Sequence, residues 1–319
     1  MTSDAVSATP LTPETSASAG GAGPEILRYA AFATDPGGGN PAGVVLDASG
    51  LSAERMLALA AEVGYSETAF LVPAGAGGAE DGSEAEAEVE AGAGGRYTVR
   101  YFSPLTEVPF CGHATVASAV ALAEQVGPGR YVFVTAAGEV PVEVDKGADG
   151  TLRATLTSVE PYVEEVGGAD VAEALALLGW APGDLDAALP PRIAYAGARH
   201  LVLAAATRDR LARLAYDFDG LAAFMTARDL VTVQLVWRAG PEVFHVRDPF
   251  PVGGVVEDPA TGAAAAAFGA YLRELGAVAD PVVLTLHQGE DLGRPGVLRV
   301  ELREEDTRVR VSGAAVAIR

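Results

Sequence analysis

The chain has 319 residues, of which 49% are hydrophobic, enough for two ordinary domains with filled cores. A formal net charge of −21, with no basic run to offset it, excludes attraction to nucleic acid or to an anionic membrane surface. Cys111 is the only cysteine, which excludes an intramolecular disulfide, and the only lysine, Lys146, lies in the turn sequence VDKGADG, where it cannot serve as the buried lysine of a Schiff-base enzyme.

Residues 1–24 lack the basic start and apolar centre of a secretory signal and are expected to form a disordered tail. No apolar run approaches the ~20 residues that span a bilayer, so a soluble, cytoplasmic protein is expected. Ile26–Phe32 reads as a first strand, and DPGGGNPAG after it as a tight loop. Gly37, Gly39 and Ala42 match G-x-G-x-x-A, but Pro41 intervenes and a strand, GVVLD, follows where a dinucleotide site needs a helix. Ser52 is placed to cap a helix over Ala53–Val63, with Met56, Leu57 and Ala60 on its apolar side. In GYSETAFLVPA, Glu67 then stands at the entrance of a strand. Residues 75–95, acidic and rich in glycine, read as a solvated insertion.

Next comes VRYFSPLTEVPFCGHATVASAVA (99–121): a buried strand, a turn carrying Cys111, Gly112 and His113, and a helix of very small residues. Strands over RYVFVTAAGEVPVEVD and TLRATLTSV follow, and the pattern restarts near residues 160–163. Helices are predicted over Ala169–Leu178 and Asp217–Arg228, and PPRIAYAGARHLVLAAA repeats the early strand–loop–strand. Strands at 231–237 and 242–246 lead into VRDPFPVGGVVEDPATGAAAAAFGAYL (246–272). This second segment repeats the order of the first: Val-Arg, a proline-bearing turn, a polar cluster and an Ala-rich helix, with Arg100 to Thr115 and Arg247 to Thr261 nearly equal spans. The loop LHQGEDLGRPG and strands at 296–302 and 309–316 close the chain. The expected fold is α+β: two pseudo-symmetric domains, residues 25–160 and 161–319, each a mostly antiparallel sheet wrapped round a central helix. The last strand has the option of returning to the first domain.

The two helix N-termini would face one another across a cleft, and a helix N-terminus attracts anions. Glu67, His113 and Asp258 are the titratable groups at loop ends beside these helix starts, the minimal equipment for moving a proton without a cofactor. Each also has a structural alternative: Glu67 as a connector bonding backbone, His113 as a satisfied histidine, Asp258 as the cap before Pro259. Cys111 reads as a small buried residue rather than a nucleophile, since side chains two apart need not meet. A two-thiol racemase is excluded because it needs two cysteines. His200, His245 and His287 show no metal-ligand spacing, so no metal site is expected, and His245 in FHVR reads as a strand histidine. Arg100 and Arg247 are candidates for a substrate carboxylate, with Glu107 and Glu257 as competing partners. Gln288 and Gly289 add polar groups at the cleft.

Together, GNPAGVVLD, GYSETAFLVP, RYFSPLTEVPFCGHAT, EDPATGAAAAAFGAYL and QGEDLGRPG resemble the PhzF-type phenazine-biosynthesis family, of diaminopimelate-epimerase-like fold, in the family's order and over nearly the whole chain after the tail. The resemblance implies that Glu67 transfers the proton and that Gly112, His113 and Asp258 line the pocket. Thr261, Gly262, Ala263 and Gln288 complete the expected set of substrate contacts. It further implies isomerisation of a small carboxylate-bearing acid such as trans-2,3-dihydro-3-hydroxyanthranilate, without metal or organic cofactor, in a homodimer. Epimerisation or cyclisation of another small acid, or binding without chemistry, are the alternatives. The chain departs from the family at Ala263 and Gly296, where serine is common, and at Arg247-Asp248-Pro249, where Arg-x-Phe is expected.

Overall fold

A computed structural model describes residues 23–74 and 94–319. Nearly all of the expected tail and of the acidic insertion lies outside the described residues. The first half runs β1 (Leu27–Ala31), β2 (Asn40–Val45), α1 (Ala53–Val63), β3 (Glu67–Pro73), β4 (Arg96–Phe102), β5 (Glu107–Val108), α2 (Gly112–Val126), β6 (Gly129–Thr135), β7 (Gly138–Lys146) and β8 (Leu152–Thr157). The second runs β9 (Tyr162–Glu165), α3 (Gly168–Leu177), β10 (Arg192–Tyr195), β11 (Arg199–Ala204), α4 (Arg208–Ala212), α5 (Phe218–Ala227), β12 (Thr232–Arg238), β13 (Val243–Phe250), β14 (Val255–Asp258), α6 (Gly262–Glu274), β15 (Val282–Gln288), β16 (Gly296–Arg303) and β17 (Asp306–Ala317).

The duplication is visible in the order of pairings. β1–β2 is antiparallel, β2–β3 parallel, β3–β4 antiparallel, β4–β6 parallel, and β6–β7 and β7–β8 antiparallel. From β10 the same series recurs through β11, β12, β13, β15, β16 and β17. The last strand returns to the first half. In β17, Arg310–Ala314 pair with β8 and Ala315–Ala317 with β1, closing a ring of strands round α2; β9, which follows β8, pairs with β10 of the second half. The first half is therefore completed by the last strand of the chain.

A helix inside such a ring has to be apolar on every side, and small residues let the strands close in on it. Residues His113–Ala123 of α2 are all buried, and α2 packs against β1, β2, β3, β7, β8 and β17. Ala264–Leu272 of α6 are likewise buried, against β9, β10, β11, β16 and β17. A helix apolar all round belongs in a core, which is why the Ala-rich runs are central helices rather than surface ones.

Several boundaries differ from the sequence reading. β1 ends at Ala31 because Phe32 takes a left-handed backbone (φ 60°), unusual for a bulky residue, which turns the chain into the glycine loop. β2 starts at Asn40, inside the expected loop; no helix follows Gly37–Ala42, so the dinucleotide reading fails there. Gly39 needs to be glycine: φ is +53° and a Cβ would lie 2.1 Å from the Ala31 carbonyl oxygen. Leu57 is only half-buried, and Leu59 takes the core position on α1. β13 runs through Asp248 and Pro249 to Phe250, with a bulge after Pro249, where a turn was expected. β15 and the β5 and β14 ribbons were missed, and Leu286–Gln288 is strand rather than loop. The sheets are mostly antiparallel, as expected, with two parallel pairs in each half. Among the described residues no helix is long and apolar enough to cross a membrane.

Candidate active site

The helix N-termini meet. A Cβ built on Gly112 would stand 4.0 Å from the Cα of Gly262, so the first turns of α2 and α6 touch through glycine. First-turn N–H groups have no intrahelical carbonyl to bond, and here two positive helix ends converge on one place. Neither N-cap residue, Cys111 or Thr261, caps its helix with its side chain. Tyr101 on β4 fixes the α2 end: its hydroxyl lies 2.6 Å from Thr115 Oγ1, which donates to the Cys111 carbonyl at 2.7 Å. On the α6 side the Phe32 ring packs against Gly262.

Glu67, His113 and Cys111 form a tight group. Glu67, the first residue of β3, places Oε2 3.4 Å from His113 Nε2, and both side chains are largely buried. The Cys111 thiol donates to Glu67 Oε2 at 3.6 Å and lies 3.3 Å from His113 Nδ1. Two residues apart at a helix start, Cys111 and His113 do meet, against the sequence expectation. Burial and the Glu67 charge push the Cys111 thiol well above the usual range, so it is a neutral thiol, as a small buried residue should be. Ser66 Oγ stands 3.4 Å from His113 Nε2.

Asp258, the last residue of β14, faces this group from the second half. Its Oδ1 accepts from the Asn40 amide at 2.8 Å and its Oδ2 from the Thr261 hydroxyl at 2.6 Å. Burial raises its pKa; the His113 charge and the two donors pull the other way. Gln288 holds the turn from beneath: its amide donates to the Asp258 carbonyl (2.9 Å) and to Thr261 Oγ1 (3.0 Å), and its oxygen accepts from Thr261 N–H (3.0 Å). Gln288 is thus committed to the turn. Ala263 is half-buried in the first turn of α6, beside Gly262. A Cβ at Gly296 would lie 3.3 Å from the Phe32 carbonyl oxygen, so glycine lets the 295–297 segment lie close on the loop that carries Asn40.

Both candidate arginines are taken by acids. Arg100 is forked onto Glu107, and Arg247 onto buried Glu257, with Nε–Oε1 at 2.9 Å. His245 is on β13, bonded to Glu290 at 2.5 Å. Sequence reasoning missed Asn40, whose partner is 218 positions away. Asn in a loop that restarts as a strand was the available signal. It also gave Asp248 no structural place. That side chain lies on β13 opposite Asp258 and accepts from the Thr232 hydroxyl at 2.8 Å, with His200 Nδ1 2.8 Å beyond. Burial raises the Asp248 pKa well above the carboxylate range.

Two small-residue helices ringed by duplicated sheets, with acid–base groups where their N-termini meet, define a protein of epimerase-like architecture. The chain shares it with a hydroxyproline epimerase from Agrobacterium vitis (TM-score 0.57, 13% identity, 92% of this chain and 90% of that one), a likeness of fold alone. The chain belongs to the phenazine biosynthesis-like (PhzC-PhzF) family of isomerases, which it matches over residues 29–319. An uncharacterized isomerase of Deinococcus radiodurans is 34% identical over 308 residues (92% of this chain, 94% of that one). The trans-2,3-dihydro-3-hydroxyanthranilate isomerase of Pseudomonas chlororaphis is 31% identical over 292 residues (90% and 94%). A Bacillus anthracis protein of the PhzF family superposes with a TM-score of 0.76 at 25% identity, covering 92% of this chain and 96% of that one.

Proposed function

We propose that this isomerase moves a proton within a small carboxylate-bearing acid by acid–base catalysis, without an organic or metal cofactor, in the manner suggested by its relative that isomerises trans-2,3-dihydro-3-hydroxyanthranilate. The Glu67 carboxylate takes a proton from a carbon beside an unsaturated or carboxylate-bearing group. The electron pair left on carbon delocalises into that group, and the proton returns at another carbon of the same system, so nothing is oxidised or lost. His113 and Asp258 orient the polar groups of the substrate. The first-turn N–H groups at Gly112, Gly262 and Ala263 hold its carboxylate and the charge that develops during transfer. Thr261 and Gln288 keep Asp258 and the α6 N-terminus in register.

The supporting observation is the convergence of Glu67, His113 and Asp258, drawn from both halves, on the meeting point of two helix N-termini. We infer a homodimeric, cytoplasmic protein with a role in secondary-metabolite biosynthesis; a monomer mass by light scattering would remove the dimer. The test is proton NMR of small acids in deuterated buffer, beginning with trans-2,3-dihydro-3-hydroxyanthranilate, with wild type and Glu67→Gln. Glu67-dependent rearrangement is expected. Solvent deuterium entering at one carbon without net conversion would instead point to epimerisation.

A further inference from the structure

Glu67 Oε2, Cys111 Sγ and His113 Nε2 form a triangle with edges of 3.6 Å (S–O), 3.8 Å (S–N) and 3.4 Å (N–O). A tetrahedral ion bonded at about 2.3 Å to sulfur and about 2.0–2.1 Å to nitrogen and oxygen spaces those same donors at about 3.6, 3.6 and 3.4 Å. All three donors come from side chains that are buried or nearly so, and their ligand atoms lie within 4.8 Å of one another. No sequence motif announces them, because Glu67 comes from the entrance of β3 and the other two from the start of α2.

We propose that these three side chains form a site for a thiophilic divalent cation, Zn²⁺ by preference, to which they offer three of four ligands. The donor set selects the ion. A thiolate and an imidazole beside one carboxylate suit zinc or cobalt and do not suit magnesium or calcium, which want oxygen. Three protein ligands with one open position is the arrangement of reactive rather than purely structural zinc sites. Binding requires the imidazole to turn a ring lone pair toward the centre of the triangle. It also requires the thiol to release its proton to solvent, so occupancy rises with pH. On the acid–base reading given above, an ion here engages the Glu67 oxygen that would otherwise take the substrate proton. Metal occupancy is then a reversible off-switch rather than part of the reaction.

Cys111 is the only cysteine, so a thiolate–metal signal has one possible source. The test is titration of untagged, chelator-stripped protein with Co²⁺, followed by visible absorption. One equivalent should produce tetrahedral d–d bands and a thiolate-to-cobalt charge-transfer band, both displaced by Zn²⁺. Outer-shell substitutions already cost a metal site about 10–100-fold in affinity. Loss of the thiolate in Cys111→Ser, or of the imidazole in His113→Ala, should therefore weaken cobalt binding at least ~100-fold, with circular dichroism confirming that each variant is folded. Absence of the charge-transfer band at saturating Co²⁺ in wild type overturns the proposal. So does cobalt affinity that is unchanged in both variants. Proton exchange measured in buffer with chelator tests the acid–base reading separately. Glu67-dependent exchange without cobalt bands would remove the metal site alone, and cobalt bands without Glu67-dependent exchange would remove the catalytic reading alone.

Discussion

Asn40 ties the glycine loop of the first half to the 257–261 turn of the second, and Asn40→Ala measures that tie. The side chain is 1% exposed and donates to Asp258 Oδ1 at 2.8 Å and to the Ala260 carbonyl at 3.1 Å. A hydrogen bond to a charged acceptor is worth about 1.5–3 kcal/mol and one to a neutral carbonyl about 0.5–1.5 kcal/mol, so the alanine variant should lose about 2–4.5 kcal/mol. Asn40→Asp should be worse at pH 8, because it sets a second carboxylate against buried Asp258, and its deficit should shrink as pH falls and the introduced carboxyl, once protonated, regains a donor. Urea denaturation of wild type and both variants at pH 8 and pH 5 supplies the numbers. Since Asn40 lowers the Asp258 pKa, its removal should also shift any Asp258-dependent limb of the activity profile to higher pH. An alanine variant within 0.5 kcal/mol of wild type, or an aspartate variant equal to alanine at pH 8, refutes the reasoning.

Asp248 has its pKa raised by burial, so the native state holds a proton that the unfolded chain releases. Its contribution is complete below the unfolded value and declines, by up to ~1.4 kcal/mol per pH unit, as pH rises toward the folded value. Asp248→Asn should therefore gain on wild type from pH 4 upward in urea titrations, and parallel stability curves would contradict this. Glu257→Gln removes the forked counter-charge of buried Arg247, leaving Asp291 at 3.9 Å, and should cost about 3–5 kcal/mol, whereas Glu107→Gln, at a half-exposed pair, should cost at most ~1 kcal/mol. Chemical denaturation compares the two directly. The Cys111 thiol, buried and held neutral, should react with iodoacetamide at pH 8 at least ~10-fold more slowly in native than in unfolded protein.

The duplicated segments were legible because a strand, a proline-bearing turn and an Ala-rich helix leave the same trace twice. The placement of Glu67, His113 and Asp258 beside the starts of α2 and α6 was legible because polar residues stood at the ends of apolar elements. The return of β17 to the first half is left open by the sequence, because which sheet a last strand closes depends on pairings such as Ala31 with Ala315, at opposite ends of the chain. Phe32 ends β1 through a left-handed backbone that no residue pattern announces. The meeting of Cys111 and His113 was not legible, because side chains two apart in extended chain need not meet, whereas here the chain turns into α2 between them. Gln288 was seen as a cleft residue but read as loop, because the His and Gln that end β15 interrupt its apolar alternation.

On the proposed function, Glu67 carries the proton. On an identified substrate, Glu67→Gln should lower the rate of deuterium uptake from solvent by at least about 10²-fold, the contribution of a positioned acid–base group. Substrate affinity, read by calorimetry on the same variant, should change by no more than about threefold, because the helix N-termini and Asp258 remain. Uptake at the wild-type rate, with the glutamine variant folded and binding, would show that another group carries the proton.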